Sequence, residues 1–141
     1  MNKNALIGFE NILTDTLELH GWEIPNPVIK YTVNLLAEKI DKNPWQPEPS
    51  FAERYMKIKS VTEAQDLGDT CFFTRAIFPE LGNRRGINSS YYVDMGQGCY
   101  SYVLRIMPDP AIKQIRDHFE FLAEVVFTSV RSSGQFRSMW E

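Results

Sequence analysis

Clusters of proline and glycine divide this chain into segments whose apolar residues recur at helical spacing. Within each segment apolar side chains repeat every three or four residues, and no segment shows the apolar–polar alternation of a half-buried strand. The 141 residues are 43% hydrophobic, which is enough apolar material for one core. The sequence therefore predicts an all-α fold, a single-domain bundle of five to six helices over residues 1–141.

Helix boundaries in the N-terminal part follow from capping residues. The first helix is predicted from about Asn4 to His20, because Gly21 is placed to end it. Asn26, followed by a proline, is predicted to cap a second helix that continues to Ile40.

The middle of the chain predicts a connection and two further helices. Three prolines make residues 43–50 an extended connection. Ser50 is predicted to cap a short third helix that ends near Ser60, and Thr62 a fourth helix that ends at Phe78. The stretch CFFTRAIF in the fourth helix is apolar nearly all round, which places this helix at the centre of the bundle.

The last two predicted helices lie in the C-terminal third. Ser89 or Ser90 is predicted to cap the fifth helix. Asp109 and the proline after it open a sixth helix that continues without a break to about Arg131, and an irregular tail follows at 132–141. The predicted inward face of the fifth helix consists of Met95, Cys99, Val103 and Ile106.

Charge and hydropathy exclude several classes of protein. The formal net charge of −3 argues against a protein whose main task is binding the phosphate backbone of nucleic acid. If the fifth predicted helix contacted DNA, Asp94 would lie where hydrogen-bond donors are needed. No apolar run approaches the roughly 20 residues that cross a bilayer. Glu10, Asp15 and Glu18 interrupt the stretch that a secretion signal would need, so a cytoplasmic protein is expected.

The residue patterns typical of metal, redox or nucleophilic catalysis are missing from the sequence. Cys71 and Cys99 do not form a CxxC pair, and both are predicted to be reduced, buried thiols. His20 and His118 are too far apart for a metal motif; His20 is expected to help cap a helix, and His118 to be partly buried within one. No metal, no cofactor and no catalytic residue is therefore predicted.

Three glycines interrupt the fourth and fifth predicted helices. Gly68, Gly96 and Gly98 each cost about 1 kcal/mol relative to alanine inside a helix. A close crossing of the two helices is the packing arrangement that would require them.

The segment from Leu67 to Gly96 contains LGD, FPE, an arginine pair, and YY followed by MG. This pattern resembles that of an uncharacterised family of bacterial helical proteins. The resemblance covers about a fifth of the chain, and it implies a helical fold but no activity.

Arg75 lies within an apolar run, where an unpaired guanidinium would be costly. One hypothesis is an internal salt bridge that fixes the register of two helices. Its predicted carboxylate partner is Asp69, Glu80 or Asp94.

The alternative hypothesis is a pocket for a small anionic ligand between the fourth and fifth helices. Guanidinium groups bind phosphate and carboxylate in a bidentate manner, and the start of the fifth helix offers backbone amides. Asp69 or Asp94 would then be the acid–base candidates if the site were enzymatic. The predicted ligand-binding residues are Arg75, Arg84, Arg85, Ser90, Tyr92, Asp69 and Asp94.

Protein binding or self-association is the function that these exclusions favour. The first 49 residues hold four lysines against seven acidic residues, which suits a basic partner. The arginine-bearing loop at 82–90 is the most distinctive predicted surface. Aromatic residues predicted for the core are Phe51, Phe72, Phe73, Phe119 and Phe121. Five further large apolar residues have no predicted place in the core, and they either form an exposed anchoring patch or pack back on the bundle. They are Trp22, Trp45, Phe136, Met139 and Trp140.

Overall fold

The protein is all-helical throughout the part that the structure describes. This computed structural model describes residues 3–41, 51–79 and 89–133, and these ranges hold helices and no strand. The helices are α1 (Lys3–His20), α2 (Asn26–Ile40), α3 (Phe51–Met56), α4 (Val61–Ile77), α5 (Ser89–Ile106), α6 (Pro110–Asp117) and α7 (Phe119–Ser132). The all-α class is confirmed, whereas the predicted count of five to six is wrong, since the described ranges contain seven.

The additional helix arises because the predicted sixth helix is interrupted at His118. This residue has φ −120° and ψ 31°, which ends α6 and begins α7. The side-chain amide of Gln97 in α5 donates to the carbonyl of Arg116 at 2.9 Å, which gives that carbonyl a partner outside the helical ladder. A side chain inserted into the ladder is a common cause of such breaks. The break also leaves His118 exposed rather than partly buried.

The helix caps agree with the sequence at some positions and differ at others. Asp109 caps α6 as predicted, since its Oδ1 accepts from two backbone amides at 2.9 and 3.2 Å. Gly21 follows α1 with φ +66°, a conformation that favours glycine. The cap of α4 is Ser60 instead of Thr62, and its Oγ accepts from the amide of Glu63. Asn26 is the first residue of α2 and makes no side-chain cap.

Helix α4 lies at the centre of the bundle, as its apolar sequence predicts. Eleven of its seventeen residues are buried, and it contacts α2, α3, α5 and α7. Phe72 and Phe73 are fully buried within it. None of the described helices is both long and apolar enough to cross a membrane.

Two of the three glycines of α4 and α5 lie where these two helices cross. A Cβ on Gly68 would lie 3.2 Å from the Cys99 Cβ, and one on Gly96 would lie 3.3 Å from the Cys71 Cβ. The predicted close crossing is therefore confirmed for these two residues. Gly98 instead faces α3, where a Cβ would lie 2.8 Å from the Tyr55 hydroxyl.

Two side chains predicted for the interior lie on the surface. Ile106 is 56% exposed because it ends α5 beyond the core, and Phe121 is 46% exposed. The connection at 43–50 and the tail from 134 lie outside the described residues, whereas 132 still belongs to α7.

Candidate functional site

Arg75 is held in an ion pair on the side of α4 that faces α7. Its side chain is 7% exposed, and its Nη2 lies 2.6 Å from Glu124 Oε1 and 3.7 Å from Glu120 Oε1. An internal salt bridge is thus present, but its partners differ from the predicted ones. Asp69 and Asp94, the two predicted partners that the structure describes, do not pair with Arg75. Glu80 lies outside the described residues.

Among the described residues of the predicted anion pocket, none of the others pairs with Arg75. Tyr92 is buried and packs edge-on against the Phe51 ring of α3, with centroids 5.6 Å apart. Ser90 and Asp94 are exposed on the first turns of α5. Arg84 and Arg85 lie outside the described residues, so their role in an anion site stays a prediction.

Asp69 accepts hydrogen bonds from two tyrosines of neighbouring helices. Tyr31 of α2 donates its hydroxyl to Asp69 Oδ1 at 2.8 Å, and Tyr100 of α5 donates to the same oxygen at 2.7 Å. Gln65 Nε2 in turn donates to the Tyr31 hydroxyl at 2.9 Å. We call Tyr31, Gln65, Asp69 and Tyr100 the Asp69 cluster. The two tyrosines were not foreseen, because Tyr31 fits the apolar stripe of α2 and Tyr100 lies outside the predicted inward face of its helix.

Burial changes the ionisation of this cluster. It raises the pKa of Asp69 to about 7, although the hydrogen bonds from Tyr100 and Tyr31 and the charge of Lys39 act in the opposite direction. Burial also raises the pKa of both tyrosines, so their hydroxyls remain protonated donors near neutral pH.

A second polar group lies one turn before Asp69 on α4. Lys39 is 3% exposed, and its Nζ is paired with Asp66 Oδ1. The other oxygen of Asp66 accepts from Arg54 Nη2 of α3 at 3.1 Å. Asp66 therefore joins α2, α3 and α4 through two cations, which makes it a structural centre of this side of the bundle.

Both cysteines are free and buried near the crossing of α4 and α5. Burial raises the pKa of Cys71 well above its ordinary value and that of Cys99 to about 12. The described residues contain no group of three or more potential metal ligands. The raised pKa values disfavour reactivity at both cysteines, because the thiolate is the reactive form.

The thiols are therefore expected to resist modification in the folded state. Native protein treated with a thiol-specific chromogenic disulfide at about pH 8 should show no rapid labelling, and both cysteines should react once denaturant is added. Met56→Cys, at an 85% exposed position, provides the fast-reacting control. Labelling of Cys71 or Cys99 as fast as that control would contradict the buried assignment.

An apolar groove lies where the α1–α2 turn meets the α6–α7 junction. We call it the Trp22 groove; its main apolar lining residues are Trp22, Ile24, Pro25, Val28, Phe121 and Leu122, and Gln114 and His118 also line it. The Trp22 ring stacks on the His20 ring, with ring centroids 4.3 Å apart, and it packs edge-on against the Phe121 ring, with centroids 5.6 Å apart. A cavity of about 160 Å³ lies between the turn and α7, and a wider open depression beside Trp22 shares Glu23, Ile24 and Pro25 with it.

Acidic side chains border this groove. Glu18 and Glu23 are exposed at its rim. The described residues 3–41 carry six acidic side chains and three lysines, and one of those lysines, Lys39, is buried in its ion pair. The groove therefore has two exposed carboxylates, those of Glu18 and Glu23, beside its aromatic surface.

Comparison with other proteins gives no homologue from which a role can be transferred. No protein-family model, no curated protein and no solved structure matches this chain.

Proposed function

We propose that this protein is a cytoplasmic binding module whose Trp22 groove takes a basic, amphipathic helical segment of another protein. The observation that carries the proposal is an aromatic groove, open to solvent, with a carboxylate rim. Phe121 is the central contact of the proposed interface. Its side chain is nearly half exposed, whereas the other phenylalanines that the structure describes are buried or partly buried.

The chemistry of the groove defines the partner. Trp22 and Phe121 offer rigid apolar surface of the kind that dominates binding energy at protein interfaces. The carboxylates of Glu18 and Glu23 would attract lysine or arginine on the polar face of the incoming helix. An amphipathic helix presents both features together, with apolar anchors on one face and cations on the other.

The alternative is a small-molecule site that uses Arg75, Arg84 and Arg85 for an anionic ligand. Arg75 supports it poorly, because its guanidinium is already engaged by Glu124 at 2.6 Å. A binding protein that presents its groove to a macromolecule is therefore the function that we favour.

Groove binding is tested with a pair of peptides of opposite charge. One amphipathic helical peptide carries leucine and phenylalanine on one face and lysine on the other, and its counterpart replaces each lysine by glutamate. The lysine peptide is expected to bind at least about tenfold more tightly, and Phe121→Ser is expected to weaken its binding about tenfold or more, measured by calorimetry or NMR titration.

Met56→Ser is the matched control, because Met56 is 85% exposed on α3 and does not line the groove. This variant should bind as the unmodified protein does. Absence of binding, equal binding of both peptides, or equal losses in the two variants would overturn the proposal.

A further inference from the structure

We propose that the partner helix of the Trp22 groove continues into a furrow between α1 and α2, where Glu10 contacts a basic residue of the partner and Lys30 an acidic one. This inference rests on the proposed function, because it extends the surface that the same partner contacts. We call this depression the α1–α2 furrow; it is lined by Leu6 and Glu10 of α1 and by Ile29, Lys30, Val33 and Asn34 of α2.

The furrow adjoins the Trp22 groove. Asn26, at the start of α2, completes the lining of the furrow, and both Asn26 and Ile29 also line the open depression beside Trp22. The volume of the furrow is about 420 Å³. A segment that binds beside Trp22 therefore enters the furrow if it continues along α1.

The floor of the furrow is aliphatic. Val33 is buried, and Leu6 and Ile29 are partly buried against the core. Side chains from two helices thus offer apolar surface at the bottom of the furrow. An amphipathic helix covers such a surface with the apolar anchors of one face.

Two unpaired charges flank this floor. Glu10 on α1 and Lys30 on α2 are both exposed. Within the part of the chain that the structure describes, neither side chain forms an ion pair or a hydrogen bond. A partner with a lysine or arginine towards α1 and a carboxylate towards α2 would complement both. Charges at the edge of an interface select partner and orientation more than they add affinity.

The acidic residues of α1 also set the spacing of the partner's basic residues. Glu18 borders the Trp22 groove, and Glu10 borders the furrow. The two lie eight residues apart in α1, which is about 12 Å along a helix axis. A partner helix that lies alongside α1 would therefore carry two basic residues about two turns apart.

Peptides of two lengths test the extension. The lysine peptide described above covers the Trp22 groove, and it is compared with two peptides that lengthen it by about two turns at one end or the other. Each extension presents leucine to the floor, lysine to Glu10 and glutamate to Lys30. One of the two is expected to bind about tenfold more tightly than the short peptide, and this gain should shrink at high salt. The end that gains affinity gives the direction of the bound helix.

Charge reversal separates the furrow from the groove. Lys30→Glu should lower the ratio of extended-peptide to short-peptide affinity about fivefold, and replacing the glutamate of the extension by lysine should restore it. Lys57→Glu is the matched control, because Lys57 is an exposed lysine that lines neither the furrow nor the groove. This variant should leave the ratio unchanged.

The outcomes distinguish this inference from the proposed function. Binding of the short peptide without a gain from either extension would overturn the inference and leave the Trp22 groove as proposed. A gain that survives Lys30→Glu would also overturn it. Failure of the short peptide to bind would overturn the proposed function, and the inference with it.

Discussion

Gly96→Ala is expected to lower the free energy of unfolding by about 2 kcal/mol. The new Cβ would lie 2.5 Å from two ring atoms of Phe119 and 3.3 Å from the Cys71 Cβ. The Phe119 ring has little room to move, because it is fully buried and packs edge-on against Phe72 at 5.3 Å. Chemical denaturation followed by circular dichroism measures the change.

Gly98→Ala is the control for this substitution, since both glycines lie in α5. The added Cβ at position 98 would meet the hydroxyl end of Tyr55, a side chain that is 43% exposed and can turn away. Alanine also gains up to about 1 kcal/mol of helix propensity over glycine. Gly98→Ala should therefore be neutral or stabilising, and equal losses at positions 96 and 98 would contradict the packing described at the α4–α5 crossing.

Asp66→Asn is expected to destabilise the protein by about 1–2 kcal/mol, because Lys39 is buried whereas the Asp66 side chain is 45% exposed. The substitution leaves the Lys39 ammonium buried without its carboxylate and also removes the partner of Arg54. An uncompensated buried charge costs more than the ion pair contributes. The free energy of unfolding from urea denaturation gives the size of the effect.

The double variant Lys39→Met with Asp66→Asn shows whether the buried ammonium is the cause. Methionine is close to the lysine stem in size and has no charge, so most of the lost stability should return. Asp117→Asn, which removes an exposed pair with Lys113 and Arg116, should change stability far less. No recovery in the double variant would show that Asp66 acts through some other contact.

The local features of the fold were predictable because they depend on residues close in sequence. Asp109 and the proline after it specify the start of α6, and Gly21 specifies the end of α1. The small residues at positions 68 and 96 also indicated the crossing of two helices, although a single sequence does not say which element faces Gly98. The break at His118 depends on Gln97, a distant residue, and carries no proline or glycine signal.

The candidate sites were less predictable, because they depend on which side chains meet across the bundle. Asp69 was identified as a carboxylate of interest, but as a partner of Arg75 or an acid–base residue of an anion pocket and not as the acceptor from two tyrosines. Trp22 was recognised as an aromatic residue beyond the needs of the core. Phe121 was predicted for the core, but it lies off the buried stripe of Phe119, Leu122 and Val126 in α7 and therefore lies at the surface beside Trp22.

Site-specific photo-cross-linking from position 121 shows directly whether the Trp22 groove binds a basic helix. With benzoylphenylalanine in place of Phe121, irradiation of cells that make the protein should trap a lysine- or arginine-rich amphipathic segment of another protein, identified by mass spectrometry of the cross-linked peptide. The same photoreactive residue in place of Met56 should not trap this segment. Adducts confined to a second copy of the chain, adducts to acidic segments, or the same adducts from both positions would contradict the account of the Trp22 groove as a site for a basic helix.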